Sequence, residues 1–133
     1  MKSESKVRVR YAETDAMGVA HHSSYIAWLE VARVDWLKAA GMDYRVMEEG
    51  GVSLAVSKLE LEYRASLYFD DELSVTAALG EARSRRVRFD YTLHRDDEPV
   101  AKAMTLHVPV SKGLAVRLSE EWLERFRPLV SES

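Results

Sequence analysis

Residues 24–41 read Ser24-Tyr25-Ile26-Ala27-Trp28-Leu29-Glu30-Val31-Ala32-Arg33-Val34-Asp35-Trp36-Leu37-Lys38-Ala39-Ala40-Gly41. Ile26, Leu29, Trp36, Leu37 and Ala40 mark an apolar stripe at helical spacing. Ser23 and Ser24 are good N-caps, and Gly41 suits the C′ position. The stretch predicts one helix from Ser24 or Tyr25 to Ala40, about 24 Å long. It lacks a polar face: Ala27, Trp28, Val31, Ala32 and Val34 carry the apolar surface around most of the circumference, leaving Glu30, Arg33, Asp35 and Lys38 as its charges. Such a helix is expected to be buried on most sides. The rest of the chain has to wrap it.

Alternation supplies the wrapper. Val7, Val9 and Tyr11 alternate with Arg8 and Arg10 in a short strand. Leu59, Leu61 and Tyr63 alternate with Lys58, Glu60, Glu62 and Arg64; Leu73, Val75, Ala77 and Leu79 with Ser74, Thr76 and Ala78; Val87, Phe89, Tyr91 and Leu93 with Arg86, Arg88, Asp90 and Thr92. Val100, Met104, Leu106, Val108 and Val110 repeat the period with Lys102 interrupting, which places His94 and His107 on polar sides, solvated or at a subunit contact. One apolar face per run is the mark of an antiparallel sheet packed on one side. Short connections at Phe69-Asp70-Asp71, Gly80 to Ser84 and Asp96 to Pro99 make the last four strands a meander. Five strands at about 4.8 Å spacing match the helix in length. A short helix from Glu120 to Arg127, capped by Ser119 and stopped by Pro128, follows. The expectation is a single α+β domain spanning 1–133, whose curved sheet hides an edge strand and outer face by dimerising.

Composition narrows the function. The 133 residues are 47% hydrophobic and 31% charged, an ordinary globular balance. No cysteine is present, which removes disulfides, thiolate metal sites and cysteine nucleophiles and is compatible with a reducing compartment. A net charge of −3 speaks against nucleic acid as a partner. The charged start Met1-Lys2-Ser3-Glu4-Ser5-Lys6 shows no secretory segment, and no window approaches the roughly 20 apolar residues of a membrane span. A cytoplasmic protein without membrane insertion is expected.

The chemistry concentrates in Tyr11-Ala-Glu-Thr-Asp15-Ala-Met-Gly18-Val-Ala-His-His22-Ser-Ser-Tyr25. A carboxylate, a glycine and a histidine share the loop that ends at a helix N-terminus, where free N–H groups and the positive end of the dipole gather. Donors fixed there can stabilise an oxyanion, and a carboxylate facing them can attack a carbonyl or activate water. The same spacing is also ordinary turn chemistry, with Asp bonding its own backbone and Gly at positive φ. His21 reads as a loop residue, because no third histidine, cysteine or carboxylate has metal-ligand spacing. Tyr11 and Tyr25 read as packing residues. Arg83, Arg85, Arg86 and Arg88 form the sharpest charge cluster, either a solvated hairpin or a phosphate site joined by Lys58.

This segment resembles the active-site signature of the hot-dog-fold thioesterases of the 4-hydroxybenzoyl-CoA thioesterase type, closest to the Tol-Pal-associated acyl-CoA thioesterase branch. The pattern Tyr-x-x-Thr-Asp-x-x-Gly-x-x-x-His-x-x-Tyr is met by Tyr11, Thr14, Asp15, Gly18, His22 and Tyr25, and continues through Glu30, Ala32 and Arg33. The likeness runs along essentially the whole domain. It implies a hot-dog fold, a long central helix wrapped by a curved five-stranded antiparallel sheet. It also implies a homodimer with active sites at the interface, assembling to a homotetramer. Asp15 matches the essential Asp, as nucleophile or general base. His22 matches the active-site His, its backbone N–H the oxyanion donor, and Gly18 matches the loop glycine. Many members carry an aromatic residue where this chain has His21. Tyr25, Glu30, Lys58, Arg83, Arg85 and Arg86 are the expected substrate contacts, the basic ones toward the phosphates of coenzyme A. Glu30 is expected as either a satisfied buried carboxylate or such a contact. The implied reaction is hydrolysis of acyl-CoA to free acid and coenzyme A, with no metal and no cofactor apart from the coenzyme A of the substrate. The alternatives are a hot-dog hydratase or dehydratase acting on acyl-CoA and a non-catalytic acyl-CoA-binding protein.

Overall fold

A computed structural model describes residues 1–131; the last two residues of the expected 1–133 domain lie outside the described residues. Strand β1 (Lys2–Arg8) and a 3₁₀ turn at Tyr11–Glu13 precede the long helix α1 (His22–Ala39) and a short helix α2 (Tyr44–Glu49). Strands β2 (Ser53–Tyr63), β3 (Glu72–Arg83), β4 (Arg86–Arg95) and β5 (Glu98–Ser111) follow, then the two-residue β6 (Leu114–Ala115) and helix α3 (Glu120–Phe126). No helix among the described residues is long and apolar enough to cross a membrane.

The strands form one antiparallel sheet in the order β1-β3-β4-β5-β2, with β6 added to β5. This is the expected α+β hot-dog arrangement of a long helix on a curled sheet. The expected four-strand meander is corrected: β3, β4 and β5 follow one another, but β2 pairs with β5 at the far edge. The link 64–71 is long enough to carry the chain across instead of turning it back. β1 also begins and ends earlier than its apolar alternation suggests, leaving Tyr11 exposed in the 3₁₀ turn.

One face of α1 is seated in the curl of the sheet. Leu29, Ala32, Trp36 and Leu37 are buried there together with Leu73, Val75, Ala77 and Leu79 of β3 and Val87, Phe89, Tyr91 and Leu93 of β4. Trp36 meets Phe89 edge to face at 5.1 Å. The other face is open, contrary to the expectation of a helix wrapped on most sides. Ile26 is 42% and Val31 44% exposed, and Ala27, Glu30, Val31, Val34 and Asp35 line a shallow depression. A domain of one sheet and one helix layer has no third layer among the described residues to cover them.

β5 presents the opposite row from the one its hydrophobicity selects. Ala101, Ala103, Thr105 and His107 are buried, while Met104, Leu106, Val108 and Val110 are half-buried on the outer face. The pairing explains this: Tyr91 stands opposite Ala103 and Phe89 opposite Thr105, bulky residues of β4 beside smaller ones of β5, while the smaller Val87 leaves room opposite for His107.

His107 is therefore fully buried, not solvated, at the end of a polar chain beneath α1. Arg33 Nη1 donates to the Tyr91 hydroxyl at 3.3 Å. Tyr91 and Thr105 hydroxyls lie 2.8 Å apart, and Thr105 Oγ1 lies 2.8 Å from His107 Nε2. With His107 Nδ1 facing the Leu54 carbonyl at 3.5 Å, one consistent direction of donation runs from Arg33 to Nε2 of a neutral imidazole. Burial, then the charge of Arg33, push the His107 pKa down to about 4, against the opposing Leu54 carbonyl. An unfolded histidine near 6.5 takes up a proton earlier than this one. Stability supplied by neutral His107 is thus whole above pH 6.5 and erodes as pH falls toward 4. Urea unfolding should show a loss of about 2 kcal/mol from this residue between pH 7 and 5, and His107→Gln should flatten that part of the profile. Parallel profiles for the two proteins would contradict this.

Candidate active site

The loop carrying Asp15 is a miniature hairpin. His21 N–H donates to the Glu13 carbonyl at 2.7 Å, Thr14 bridges Ala20, and Asp15 N–H donates to the Val19 carbonyl at 2.8 Å. Gly18 N–H closes the turn onto the Asp15 carbonyl at 3.0 Å, with Gly18 at φ 78°. A three-residue hairpin loop needs a left-handed residue at that place, and glycine fills it without Cβ strain. Asp15 Oδ1 accepts from Met17 N–H at 2.8 Å and Val19 N–H at 3.2 Å. Oδ2 has no hydrogen-bond or ion-pair partner among the described residues.

The hairpin is tied on both flanks. Ala20 N–H donates to the Leu67 carbonyl at 2.7 Å and Val19 bridges Tyr68, which fastens it to the 64–71 link. That link is itself held by Asp71, whose Oδ2 accepts from Tyr68 N–H at 2.9 Å and Arg95 Nη1 at 2.8 Å. Burial raises the Asp71 pKa, but these two donors outweigh it and hold the carboxyl below the ordinary range. On the other flank the Glu13 carbonyl also accepts from Ser24 Oγ at 3.1 Å, and Glu13 Oε2 accepts from Trp28 Nε1 at 3.1 Å.

α1 starts at His22, earlier than the serine caps predict, and its N-cap is His21. His21 Nδ1 accepts from Ser23 N–H at 3.2 Å and lies 2.7 Å from Ser23 Oγ. Accepting is a role of the unprotonated nitrogen, so the hydrogen of this ring sits on Nε2. As the first helical residue His22 has no intrahelical acceptor for its N–H, and no other acceptor meets it among the described residues.

Asp15, Val19, Ala20, His21, His22 and Tyr25 form one side of a groove of about 460 Å³ whose other side is Tyr63, Arg64, Ala65 and Ser66. Tyr25 is 2% exposed and meets Tyr63 edge to face at 5.0 Å. Burial, and then the neighbouring Tyr63, raise the Tyr25 pKa, with Arg95 opposing; burial raises that of Tyr63. Both phenols keep their protons at neutral pH.

Of the residues expected at the site, Asp15, His22 and Tyr25 converge, with Gly18 in the turn beneath them. Glu30 is neither a buried carboxylate nor part of this groove; it is exposed in the outer depression of α1. Lys58 is exposed on β2 and pairs with Glu60 at 3.1 Å. Arg83, Arg86 and Arg88 converge on Glu81 at 2.7, 2.8 and 3.5 Å, and the Arg86 hydrogen bond foremost lowers the Glu81 pKa. Arg85 makes no ion pair among the described residues. This hairpin sits at the far end of β3, a strand about 36 Å in contour length, from the 64–71 link that walls the groove. Among the described residues no three His, Cys, Asp or Glu side chains converge as a metal site requires.

Residues 9–126 match the model of the thioesterase-like superfamily. The acyl-CoA thioesterase YbgC of Haemophilus influenzae is 31% identical over 98 residues, 73% of this chain and 72% of that protein. Among solved structures, protein TT1821 of Thermus thermophilus superposes with a TM-score of 0.94 at 38% identity, covering 99% of this chain and 100% of that one. The DHNA-CoA thioesterase of Staphylococcus aureus gives 0.88 at 26% identity over 96% and 89%.

His21 capping has a measurable consequence. His21→Ala should cost about 1 kcal/mol in chemical unfolding, whereas His21→Asn, which restores a short acceptor, should stay within about half of that loss. Equal losses in both variants would remove the capping role.

Proposed function

The chain belongs to the thioesterase-like superfamily, and from that premise we propose that it hydrolyses acyl-CoA thioesters with Asp15 as its catalytic carboxylate. One observation carries the reading: Asp15, whose Oδ2 has no partner among the described residues, and His22, whose N–H has none there either, line the same groove. A thioester carbonyl placed over the start of α1 puts its oxygen on that N–H, where developing negative charge meets the helix dipole. Oδ2 then attacks the carbonyl carbon to form an anhydride that water cleaves, or takes a proton from a water that attacks. Either way the tetrahedral intermediate collapses by expelling thiolate, a good leaving group that requires neither a strong acid nor a metal. The His22 side chain orients the substrate or assists proton movement. Protonated Tyr25 and Tyr63 supply donors along the groove.

The motif spacing supports the 4-hydroxybenzoyl-CoA thioesterase type near the Tol-Pal-associated branch. The cysteine-free composition fits a cytoplasmic location. One domain over 1–133 is consistent with a single core. The edge of β2, unpaired among the described residues and with Val56 47% and Tyr63 50% exposed, favours a dimer that borders the groove, and the outer row Met104, Leu106, Val108 and Val110 favours pairing of dimers into a tetramer. In that assembly Arg83, Arg85 and Arg86 would serve the coenzyme A phosphates of another subunit's groove, since their own is out of reach.

Asp15→Asn keeps the Oδ1 turn contacts and removes the reactive carboxylate. Thiol release from a panel of acyl-CoAs should fall at least about a hundredfold with the unfolding profile retained. Near-normal release would end the assignment, and consumption of an enoyl-CoA without thiol release would favour the hydratase alternative. Sedimentation at micromolar concentration should give a dimer or tetramer; a monomer would overturn the assembly.

A further inference from the structure

Two separately built pieces must be held in register for this site to act: Oδ2 of Asp15 on the hairpin, and the N–H of His22 on α1. We propose that Glu13 is the positioning residue that fixes one against the other; the inference rests on the reading of those two groups as the catalytic pair. Glu13 is attached to α1 at three successive levels. Its carbonyl accepts from His21 N–H at 2.7 Å and from Ser24 Oγ at 3.1 Å, and its carboxylate Oε2 accepts from Trp28 Nε1 at 3.1 Å. Residues 21, 24 and 28 fall on one helical face and span about 10 Å along the axis. A single attachment at the helix start is a hinge about which the hairpin can tilt. A second, more than a turn further along, removes the tilt.

The carboxylate is built for that task. Its side chain is 12% exposed, and its oxygens are divided between the two pieces. Oε1 accepts from Arg10 N–H at 2.8 Å, with Arg10 Nε at 3.4 Å, on the chain entering the hairpin. Oε2 takes the indole of the helix. Trp28 is 3% exposed and packs against Tyr25 at 5.0 Å, so the anchor is rigid and adjoins the groove. Neither Glu13 nor Trp28 lines the groove. Their effect on hydrolysis passes through the placement of Asp15, and misplacement by about 1 Å is enough to cost on the order of a hundredfold in rate.

Glu13→Gln preserves size but sets an amide N–H against the indole N–H, or turns and loses the Arg10 contact. Trp28→Phe removes the same bond from the helix side. Each variant, assayed below its own melting temperature, should lose tenfold or more in kcat with KM within about twofold, and the double variant should be little worse than either single. Should Glu13→Gln fail to fold, Trp28→Phe reads the same bond from its other end. Wild-type kcat in both folded single variants, a change confined to KM, or losses that multiply in the double variant would overturn the proposal. Asp15→Asn run alongside separates the two readings. Loss of activity there with normal Glu13→Gln removes only the role of Glu13, whereas retained activity there removes the catalytic pair itself.

Discussion

The structure depends on the seating of one rigid helix in the curl of one sheet. Leu29, Trp36 and Leu37 are almost wholly removed from water, and each side chain of that size contributes roughly 1.5–3 kcal/mol when buried. Because a helix is stiff, the core that fixes its middle also fixes its first turn. The His22 N–H at that turn is thus held in place both by the buried Tyr25 and Trp28 beside it and by packing several turns away. The sheet provides the facing wall: the end of β2 and the link to β3 bring Tyr63, Arg64 and Ser66 opposite that turn.

The same seating dictates which residues may lie beneath it. α1 brings Trp36 and the guanidinium of Arg33 onto a surface that already holds Phe89 and Tyr91. The neighbouring strand must then be small or able to accept hydrogen bonds, and Ala101, Ala103, Thr105 and His107 meet that demand. The buried hydroxyl chain gives polar atoms partners that the apolar layer cannot, although Arg33 Nε has none among the described residues. Buried polar groups without partners are costly, so the ordered donation from Arg33 through Tyr91 and Thr105 constrains how far the helix can shift over the sheet.

Much of this was legible in the amino-acid order, and the failures share a cause. β3 and β4 alternate cleanly between bulky apolar and polar residues, so their inner faces could be read directly. β5 alternates between two apolar rows, and hydrophobicity selects the bulkier; only the neighbours on β4 and α1 require the smaller one inside. The motif located Asp15, Gly18, His22 and Tyr25, whose relation is local. Glu30 is equally close in sequence, yet helical phase turns it to the side of Ala27, Val31 and Val34. Ser23 and Ser24 satisfy the usual capping preference, but the Ser24 hydroxyl is drawn to the Glu13 carbonyl and the His21 ring caps instead. Tyr63 reads as one more core residue of its strand, and nothing near Arg64 or Ser66 announces a groove. Their partners lie forty residues away in the chain.

The turn chemistry of Asp15 and its proposed chemistry toward a thioester are often alternatives for such a residue. Here the two oxygens divide them. Oδ1 is committed to the N–H groups of Met17 and Val19, which fixes both carboxylate torsions and leaves Oδ2 as the oxygen available to a substrate. Direct attack and activation of water both call on that one oxygen, and both develop charge on a carbonyl oxygen that a single helix-terminal N–H can meet. The fixed carboxylate would therefore serve either proposed route without rearrangement. A residue that shapes its own loop is pre-oriented by the shape it makes, so the bond that explains the turn also aims the group that would do the chemistry.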